Sequence, residues 1–459
     1  MLQQVEYDPK KFHEWSGRLL RNTQTLQSVA TRKRLVMTRR AKLLVLATYG
    51  FATIFIILYA WLVLVLDFRI LALLIGILAL PHVSRYFLEF TAYVAQNLII
   101  APEQKRMTEE AARIFADHTG VKIAVLGSYG KTTMKELLAT ILSQGKKVAA
   151  TPGNMNVSTS HARFARSLKG DEDVLIVEFG EGEPGDIERM AQMFKPDYAI
   201  ITGLAPNHLD YYPDLKAVAK DLLSIYDFVP ADKVLVSGES KMLKDFLPKA
   251  AHVFTTGGTL GWKTSNIKPT IAGVTFDLNK AKSQFKLASG LLGRYQVAPL
   301  ALVAALADKL GMSKSDIEAG MKKTAPFQHR MQPRLINGAW LIDDAYNGNL
   351  EGMQAGLKLL AELPAKRKWY VTPGLVDQGV ETVRVHKELG KAIAESNPNI
   401  VVLMNNSARP IIEEAMLNEG FKNELRVETN PLDFYVQIEH LVASGDVLLM
   451  QNDWTDNYS

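Results

Sequence analysis

The chain has 459 residues, of which 47% are hydrophobic, and it carries a formal net charge of +5. This length predicts about three domains, with enough apolar residues for sizeable cores. The sequence contains no cysteine, which excludes disulfide bonds and thiolate chemistry and is typical of a reducing compartment.

The first 104 residues resemble a membrane segment. Residues 1–42 are polar and basic, and 43–66 form 24 residues without a charge, long enough to span a bilayer as a helix. After a short polar break, 70–84 is again uncharged, which predicts a transmembrane helical hairpin over 43–104. The basic residues before the first span place that end in the cytoplasm. These residues are Arg32, Lys33, Arg34, Arg39, Arg40 and Lys42.

The second half of this hairpin has an alternative interpretation. Pro81, His82 and Arg85 interrupt the apolar pattern, so a single span followed by a buried helix is also compatible with it. The two basic side chains favour the membrane interface, where long basic side chains reach water, over an ion pathway.

A glycine-rich turn joins a predicted strand to a predicted helix at residues 121–133. The apolar run Ile123–Leu126 precedes Gly127 and Gly130, and Lys131 and Thr132 follow. Strand, glycine turn and helix are the layout of a phosphate-binding loop, in which backbone N–H groups face the anion. The lysine would neutralise phosphate and the threonine hydroxyl would ligate Mg²⁺. The loop is shorter than the common pattern, so an ordinary turn is the alternative.

Helices and strands alternate over 105–324, which predicts an α/β domain with a doubly wound parallel sheet. Ligands bind such sheets at the carboxyl ends of the strands. Glu178 ends one predicted strand and His208 follows another. A carboxylate there suits Mg²⁺, whereas the histidine is equally compatible with a loop or helix-cap position.

Four segments resemble motifs of the Mur ligases, ATP-dependent amide ligases that build the peptide of bacterial cell-wall precursors. They are 127–133 (GSYGKTT), 151–156 (TPGNMN), 178–180 (EFG) and 207–212 (NHLDYY). The resemblance covers about 105–450, and its closest branch is similar to the one that adds D-Ala-D-Ala to the muramoyl-tripeptide. It implies ATP and Mg²⁺ as cofactors and predicts no nucleic-acid partner.

The resemblance also implies roles for individual residues. The phosphates of ATP would contact Gly127, Ser128, Gly130, Lys131, Thr132 and Thr133; the metal ligands would be Thr132, Glu178 and His208; the acid substrate would meet Asn154 and Asn156; and Gln296 would reach the adenine. Lys131, His208 and Arg330 would be the catalytic residues.

A smaller Rossmann-like α/β domain is predicted over 325–459. By the resemblance, it closes over the nucleotide, with Arg330 on the phosphates, Asp344 at the nucleotide or hinge, and Asn347 near the acyl phosphate. A simple strand-end turn is the alternative for 343–349. His386 is predicted to lie on a helix surface.

The sequence departs from the family at two places. Leu222 stands where many of these ligases carry a carbamylated lysine that binds a second metal. Residues 451–454 (QNDW) replace a basic motif after the last strand. Some branches of the family do without this lysine, so the first departure bears on the branch more than on the chemistry. The second leaves the identity of the acid or the amine open.

These features predict a ligase at the cell membrane with cytoplasmic catalytic domains. A carboxylate of a cell-wall precursor would attack ATP to form an acyl phosphate, which an amino acid or dipeptide would then capture. The hairpin occupies the place of the family's UDP-binding N-terminal domain, so the precursor is either lipid-linked or soluble. The alternatives are a polyglutamate-type or other amino-acid ligase of the same superfamily, and a non-catalytic, membrane-tethered nucleotide-binding module.

Overall fold

The computed structural model describes residue 13 and residues 39–65, 69–153, 155–205, 211–281, 283–345, 348–375, 378 and 381–452. Some side chains at the start of α1, along α2 and at the start of the last helix lie outside this description. The chain divides into two compact units, Met1–Glu109 and Glu110–Ser459.

Two long helices stand where the hairpin is predicted. Helix α1 covers Arg39–Val65 and α2 covers Arg69–Ala95; a π-helical turn and α3 (Ala101–Asp117) continue the chain. The rings of Phe51 and Phe87 stack with centroids 3.8 Å apart, so the two helices pack against each other.

One helix in the described part of the chain is long and apolar enough to cross a membrane, judged by length and composition alone. It is Val45–Val65 in α1, with a mean hydropathy of 2.1 and none of that window buried inside the protein. The described part of α2 does not meet the same criterion, and Arg85 and Glu89 form an ion pair 2.8 Å long within it. The second predicted membrane span stays a prediction.

A six-stranded sheet forms the centre of the second unit, in the order β2-β3-β1-β4-β5-β6. All its strand pairs are parallel, which confirms the predicted parallel sheet. Buried parallel strands need apolar side chains on both faces, and β3 and β4 are buried throughout. The strands are β1 (Val121–Leu126), β2 (Val148–Ala150), β3 (Val174–Glu178), β4 (Tyr198–Ile201), β5 (Val234–Ser237) and β6 (His252–Phe254).

The helices between these strands follow the predicted alternation. They are α4 (Lys131–Leu142), α5 (Ser158–Ser167), α6 (Asp186–Phe194), α7 (Leu215–Leu223) and α8 (Lys241–Lys244). Two short 3₁₀ turns, Ser224–Asp227 and Ala231–Lys233, lead into β5.

An antiparallel sheet of four strands, not predicted from the sequence, follows β6 in the order β10-β9-β8-β7. One face packs on helix α9, whose apolar residues up to Ala307 are almost all buried, in the same core as the central sheet. The elements are β7 (Gly258–Thr259), β8 (Trp262–Thr270), β9 (Gly273–Lys280), β10 (Ser283–Ser289), a 3₁₀ turn (Arg294–Gln296), α9 (Val297–Lys309) and α10 (Lys314–Lys322).

The last 120 residues or so build a second six-stranded sheet, in the order β11-β12-β16-β13-β14-β15. It is parallel except for the edge strand β11, as expected for the predicted α/β domain. Its elements are β11 (Gln332–Ile336), β12 (Ala339–Asp344), α11 (Leu350–Glu362), β13 (Lys368–Thr372), α12 (Thr382–Ser396), β14 (Ile400–Met404), α13 (Arg409–Asn418), β15 (Glu424–Glu428), α14 (Pro431–Leu441) and β16 (Val447–Gln451).

Candidate active site

The turn between β1 and α4 needs glycine at two positions. Gly127 has φ of 133°, and a Cβ there would lie 2.5 Å from the Thr202 hydroxyl and 2.9 Å from the Gly203 nitrogen. Gly130, at φ 76°, is the N-cap of α4. The Ser128 N–H donates to the Gly203 carbonyl at 2.8 Å. The turn therefore packs against the end of β4. The backbone N–H groups at the N-terminus of α4 are free of the helix's own hydrogen bonding and suit an anion.

Two buried carboxylates lie beside this turn, at the end of β3. Glu178 and Glu181 are each 1% exposed. The Lys131 ammonium donates to Glu181 Oε2 at 2.8 Å and to the Gly127 carbonyl. Glu178 Oε1 is 3.4 Å from the Asn156 amide nitrogen, and Glu178 Oε2 has no hydrogen-bond partner among the described residues. Burying a carboxylate oxygen without a hydrogen-bond partner costs free energy. A cation bound at Glu178 Oε2 would remove that cost.

His161 supports Glu178 from α5. Its Nε2 lies 2.8 Å from the Glu178 backbone carbonyl, and because a carbonyl only accepts, Nε2 carries the proton. Burial lowers the pKa of His161 to about 4, against the opposing effect of this hydrogen bond. The imidazole is therefore neutral at pH 7 and positions the end of β3.

A second lysine of α4 holds the loop that follows β2. Lys135 is fully buried, and its ammonium donates to the carbonyls of Thr151, at 2.7 Å, and Gly153. The partly exposed Glu136 is its ionic partner at 3.0 Å. The Thr151 hydroxyl in turn accepts the Glu178 N–H at 3.2 Å. One helix thus fixes both the phosphate turn and the loop that leads to Asn156.

A cleft of about 460 Å³ opens between the central sheet and α11. On one side it is lined by Gly130 and Thr133, together with Tyr295 and Gln296 from the turn before α9; Lys358 of α11 lies on the other side. The cleft therefore joins the phosphate turn to the residue predicted to reach an adenine.

Tyr129 bridges this cleft. Its phenol donates to Glu351 in the first turn of α11, and Glu351 also accepts the Lys241 N–H at 3.2 Å. Burial and the Glu351 charge raise the pKa of Tyr129, so the phenol stays protonated and donates.

Asp344 lies at the end of β12, where the last domain meets the connecting segment. It accepts the Gln451 amide at 2.8 Å and the Met331 N–H at 3.1 Å. Burial raises the pKa of Asp344 to about 6, although these bonds and the nearby Arg330 charge lower it. Gln451 itself is fully buried at the end of β16, so it supports Asp344 from inside the domain.

Comparison with known proteins places this geometry in a family. Residues 125–307 match the model of the Mur ligase middle domain, and residues 329–451 match that of the Mur ligase, glutamate ligase domain. Together these two matches cover about two thirds of the chain. The chain belongs to the Mur ligase family.

Individual relatives agree with this assignment. The UDP-N-acetylmuramoyl-tripeptide–D-alanyl-D-alanine ligase of Escherichia coli is 26% identical over 347 residues, which are 72% of this chain and 75% of that protein. MurF from Acinetobacter baumannii has a TM-score of 0.66 at 20% identity, covering 76% of this chain and 77% of that one. The MurF ligase from Thermotoga maritima in complex with ADP has a TM-score of 0.64 at 20% identity, covering 76% and 80%.

As a Mur ligase, the chain is an ATP-dependent enzyme that forms a C–N bond and uses Mg²⁺. The donor set fits this metal, because Mg²⁺ takes one or two carboxylates and completes its shell with phosphates and water. The unpaired oxygen of Glu178 and the hydroxyl of Thr132 are the matching groups. Among the described residues, no group of three or more histidine, cysteine or acidic side chains is arranged to hold a metal ion by itself.

The structure places some of the predicted residues and leaves others open. Lys131, Gly130 and Thr133 lie at the phosphate turn and Gln296 in the same cleft, whereas Asn156 lies against Glu178. The predicted roles of Asn154, His208 and Asn347 fall on positions outside the described residues, as do residues 453 and 454 of the C-terminal departure.

The surface position predicted for His386 is wrong. His386 is fully buried; its Nε2 accepts the Leu375 N–H at 3.0 Å and its Nδ1 lies 2.7 Å from the Thr382 carbonyl. Sequence reasoning also missed Glu181, Lys135 and His161. Of these, Glu181 had a signal, since it follows the strand-end Glu178 by three residues.

Proposed function

We propose that this Mur ligase joins D-alanyl-D-alanine to the peptide carboxylate of UDP-N-acetylmuramoyl-tripeptide or of its lipid-linked counterpart. The observation that carries the proposal is the cleft in which Gly130, Thr133 and Gln296 face α11, beside the paired Lys131 and the unpaired oxygen of Glu178. The named activity of the E. coli relative supplies the substrates.

The reaction would proceed in two displacements. An oxygen of the precursor carboxylate attacks the γ-phosphorus of ATP, the bond to the β,γ-bridging oxygen breaks, and ADP leaves. The amine of D-alanyl-D-alanine then attacks the acyl carbon, loses a proton, and inorganic phosphate departs with the electrons of the C–O bond.

The residues of this chain would orient the reactants and neutralise charge. Lys131 would exchange Glu181 for the phosphates, and Arg330 would approach them from the last domain. Thr132 and Glu178, with His208 as a proposed further ligand, would hold Mg²⁺, which supplies Lewis-acid stabilisation of phosphate charge. The Tyr129–Glu351 bond would hold the cleft closed and keep water away from the acyl phosphate.

The test is ADP release by the purified full chain with ATP, Mg²⁺, precursor and D-alanyl-D-alanine, with the product identified by mass spectrometry. We expect ADP release that requires both acid and amine, and a product heavier by one dipeptide less water. Lys131→Met should abolish it, whereas Lys314→Met, at a 60% exposed helix position, should not. ADP release that is independent of the acid and the amine would refute the ligase activity. Ligation of a different acid and amine instead of these two would refute the substrate assignment.

We further propose that α1 attaches the enzyme to the cytoplasmic face of the membrane. Its support is the apolar stretch Val45–Val65, none of which is buried inside the protein. We expect full-length protein to remain with membranes after an alkaline carbonate wash. Ile56→Arg, at a 57% exposed position in α1, should release it, unlike Leu417→Arg at a 54% exposed position in α13. Extraction of the unmodified chain by carbonate would refute the anchor.

Membrane-bound enzyme can also be used to compare the two forms of the acid substrate, soluble and lipid-linked. Enzyme in vesicles is supplied with soluble UDP-linked precursor or with lipid-linked precursor at matched concentration. We expect the anchored enzyme to prefer the lipid-linked acid. Equal rates on both, or a preference for the soluble one, would rule out the lipid-linked version.

A further inference from the structure

Glu181 is an acid that the family's motifs leave without a role. Its side chain is 1% exposed. Oε2 accepts from the Lys131 ammonium at 2.8 Å, while Oε1 is buried without a hydrogen-bond partner in the described part of the chain. A buried carboxylate with half its hydrogen-bonding capacity unused destabilises the fold, unless a ligand completes it.

Charge in this corner is unbalanced once a nucleotide arrives. Lys131 sits on the phosphate turn and now pairs with Glu181. When its ammonium contacts phosphate, two buried carboxylates, Glu178 and Glu181, remain beside the anionic nucleotide. Like charges in a poorly hydrated site repel strongly. A divalent cation that contacts both carboxylates removes this repulsion.

The neighbouring helix α7 does not present its own oxygen to this corner. Leu222 is fully buried and apolar. The adjacent Asp221 accepts the Tyr212 hydroxyl at 2.8 Å and the Gly185 N–H at 2.7 Å. Asp221 thereby holds Gly185, four residues after Glu181 on the same loop.

We propose that Glu181 is a second carboxylate ligand of the Mg²⁺–nucleotide site, released to the metal when the phosphates take over Lys131. This inference rests on the ATP-dependent reaction proposed above. It makes the Lys131–Glu181 ion pair the nucleotide-free state of the site and a Glu181–metal contact the loaded state.

The experiment measures Mn²⁺ binding, with Mn²⁺ in place of Mg²⁺. Full-length wild-type protein, Glu181→Gln and Glu183→Gln are titrated with Mn²⁺ in the presence of a β,γ-methylene ATP analogue, and free Mn²⁺ is read by electron paramagnetic resonance. Glu183 is the matched control, because it is an exposed glutamate on the same loop. We expect Glu181→Gln to weaken Mn²⁺ binding by about tenfold or more and Glu183→Gln to leave it unchanged.

A nucleotide titration without metal tests the alternative role of Glu181, in which it only competes with phosphate for Lys131. If Glu181 only competes with phosphate for Lys131, Glu181→Gln will tighten nucleotide binding and leave Mn²⁺ affinity at the level of Glu183→Gln, and the inference is overturned. Should Glu181→Gln fail to fold, Glu181→Asp keeps the charge on a shorter side chain; we expect several-fold weaker Mn²⁺ binding, and unchanged binding would also overturn it.

This readout is independent of the acid and the amine. If no dipeptide is ligated but Glu181→Gln still weakens Mn²⁺ binding, the proposed function is wrong and the assignment of Glu181 as a metal ligand is supported. If ligation proceeds with D-alanyl-D-alanine but Mn²⁺ binding is unchanged, the reverse holds.

Discussion

The phenol of Tyr129 donates a hydrogen bond to the carboxylate of Glu351 across the nucleotide cleft, although 222 residues separate the two in sequence. Tyr129 belongs to the phosphate turn and Glu351 to the first turn of α11. The contact joins the surface that would hold the phosphates to the domain that would close over them.

Removing this hydroxyl should loosen the closed arrangement. A hydrogen bond to a charged group contributes about 1.5–3 kcal/mol, and partial exposure of this pair reduces that to about 1–2 kcal/mol. Tyr129→Phe should therefore release ADP about tenfold faster, measured by stopped-flow with a fluorescent ADP analogue. Tyr226→Phe is the control, because that phenol has no hydrogen-bond partner among the described residues. Equal release rates in both variants would show that the contact does not hold the cleft.

Lys135 should affect the acid more than the nucleotide. Lys135→Met keeps the length of the side chain but leaves the Thr151 and Gly153 carbonyls without their donor, at a stability cost of about 2 kcal/mol. We expect the KM for the acid to rise at least several-fold while ADP affinity stays within about threefold. Initial rates and isothermal titration calorimetry measure the two. A parallel loss of both would assign Lys135 to the phosphate turn instead.

Asp344 should make stability depend on pH. Because burial raises its pKa to about 6, the folded chain holds a proton more tightly than the unfolded chain, whose value is near 3.8. This contribution therefore lowers the free energy of unfolding as pH rises from about 4 to 6, by about 1–2 kcal/mol after allowance for partial solvent access.

The variant Asp344→Asn should remove this slope. Urea unfolding at several pH values should show it gaining stability relative to wild type as pH rises through that window. Asp308→Asn, at an exposed position of α9, should track wild type throughout. A constant difference between Asp344→Asn and wild type would contradict the raised pKa.

Gly127 should tolerate no side chain. An alanine Cβ would lie 2.5 Å from the Thr202 hydroxyl, in a backbone conformation with φ of 133°. Gly127→Ala should reduce ADP affinity at least tenfold and lower stability by more than the roughly 1–3 kcal/mol of backbone strain alone. Gly170→Ala, at φ 87° with nothing within 4 Å, carries strain without a clash and should bind ADP normally.

The sequence was sufficient for the parts of the site that depend on local pattern. The strand, turn and helix around Gly127 to Lys131, and the strand that ends at Glu178, are contiguous in the chain, so their residue spacing carries the information. The parallel sheet followed from the same alternation of short apolar runs and helical segments.

Other features depend on residues far apart in the chain. Lys135 is a charged residue in a helix, and only the approach of the Thr151 loop makes it a buried anchor. His386 is buried because the segment at Leu375 covers it, and the pattern of α12 alone carries no information about that contact. The antiparallel sheet is different, because it has a local signal: Val274, Phe276 and Leu278 alternate with polar residues in β9.

Helix α4 begins at the phosphate turn with Lys131 and, one helical turn later, holds the loop after β2 through Lys135. A helix moves as a rigid rod over such a short length. Any displacement that a bound triphosphate imposes on its first turn is therefore passed to the carbonyls of Thr151 and Gly153. The two reactants should then enter in a compulsory order, with ATP first and the carboxylic acid second, and product-inhibition patterns should report this sequence of arrival.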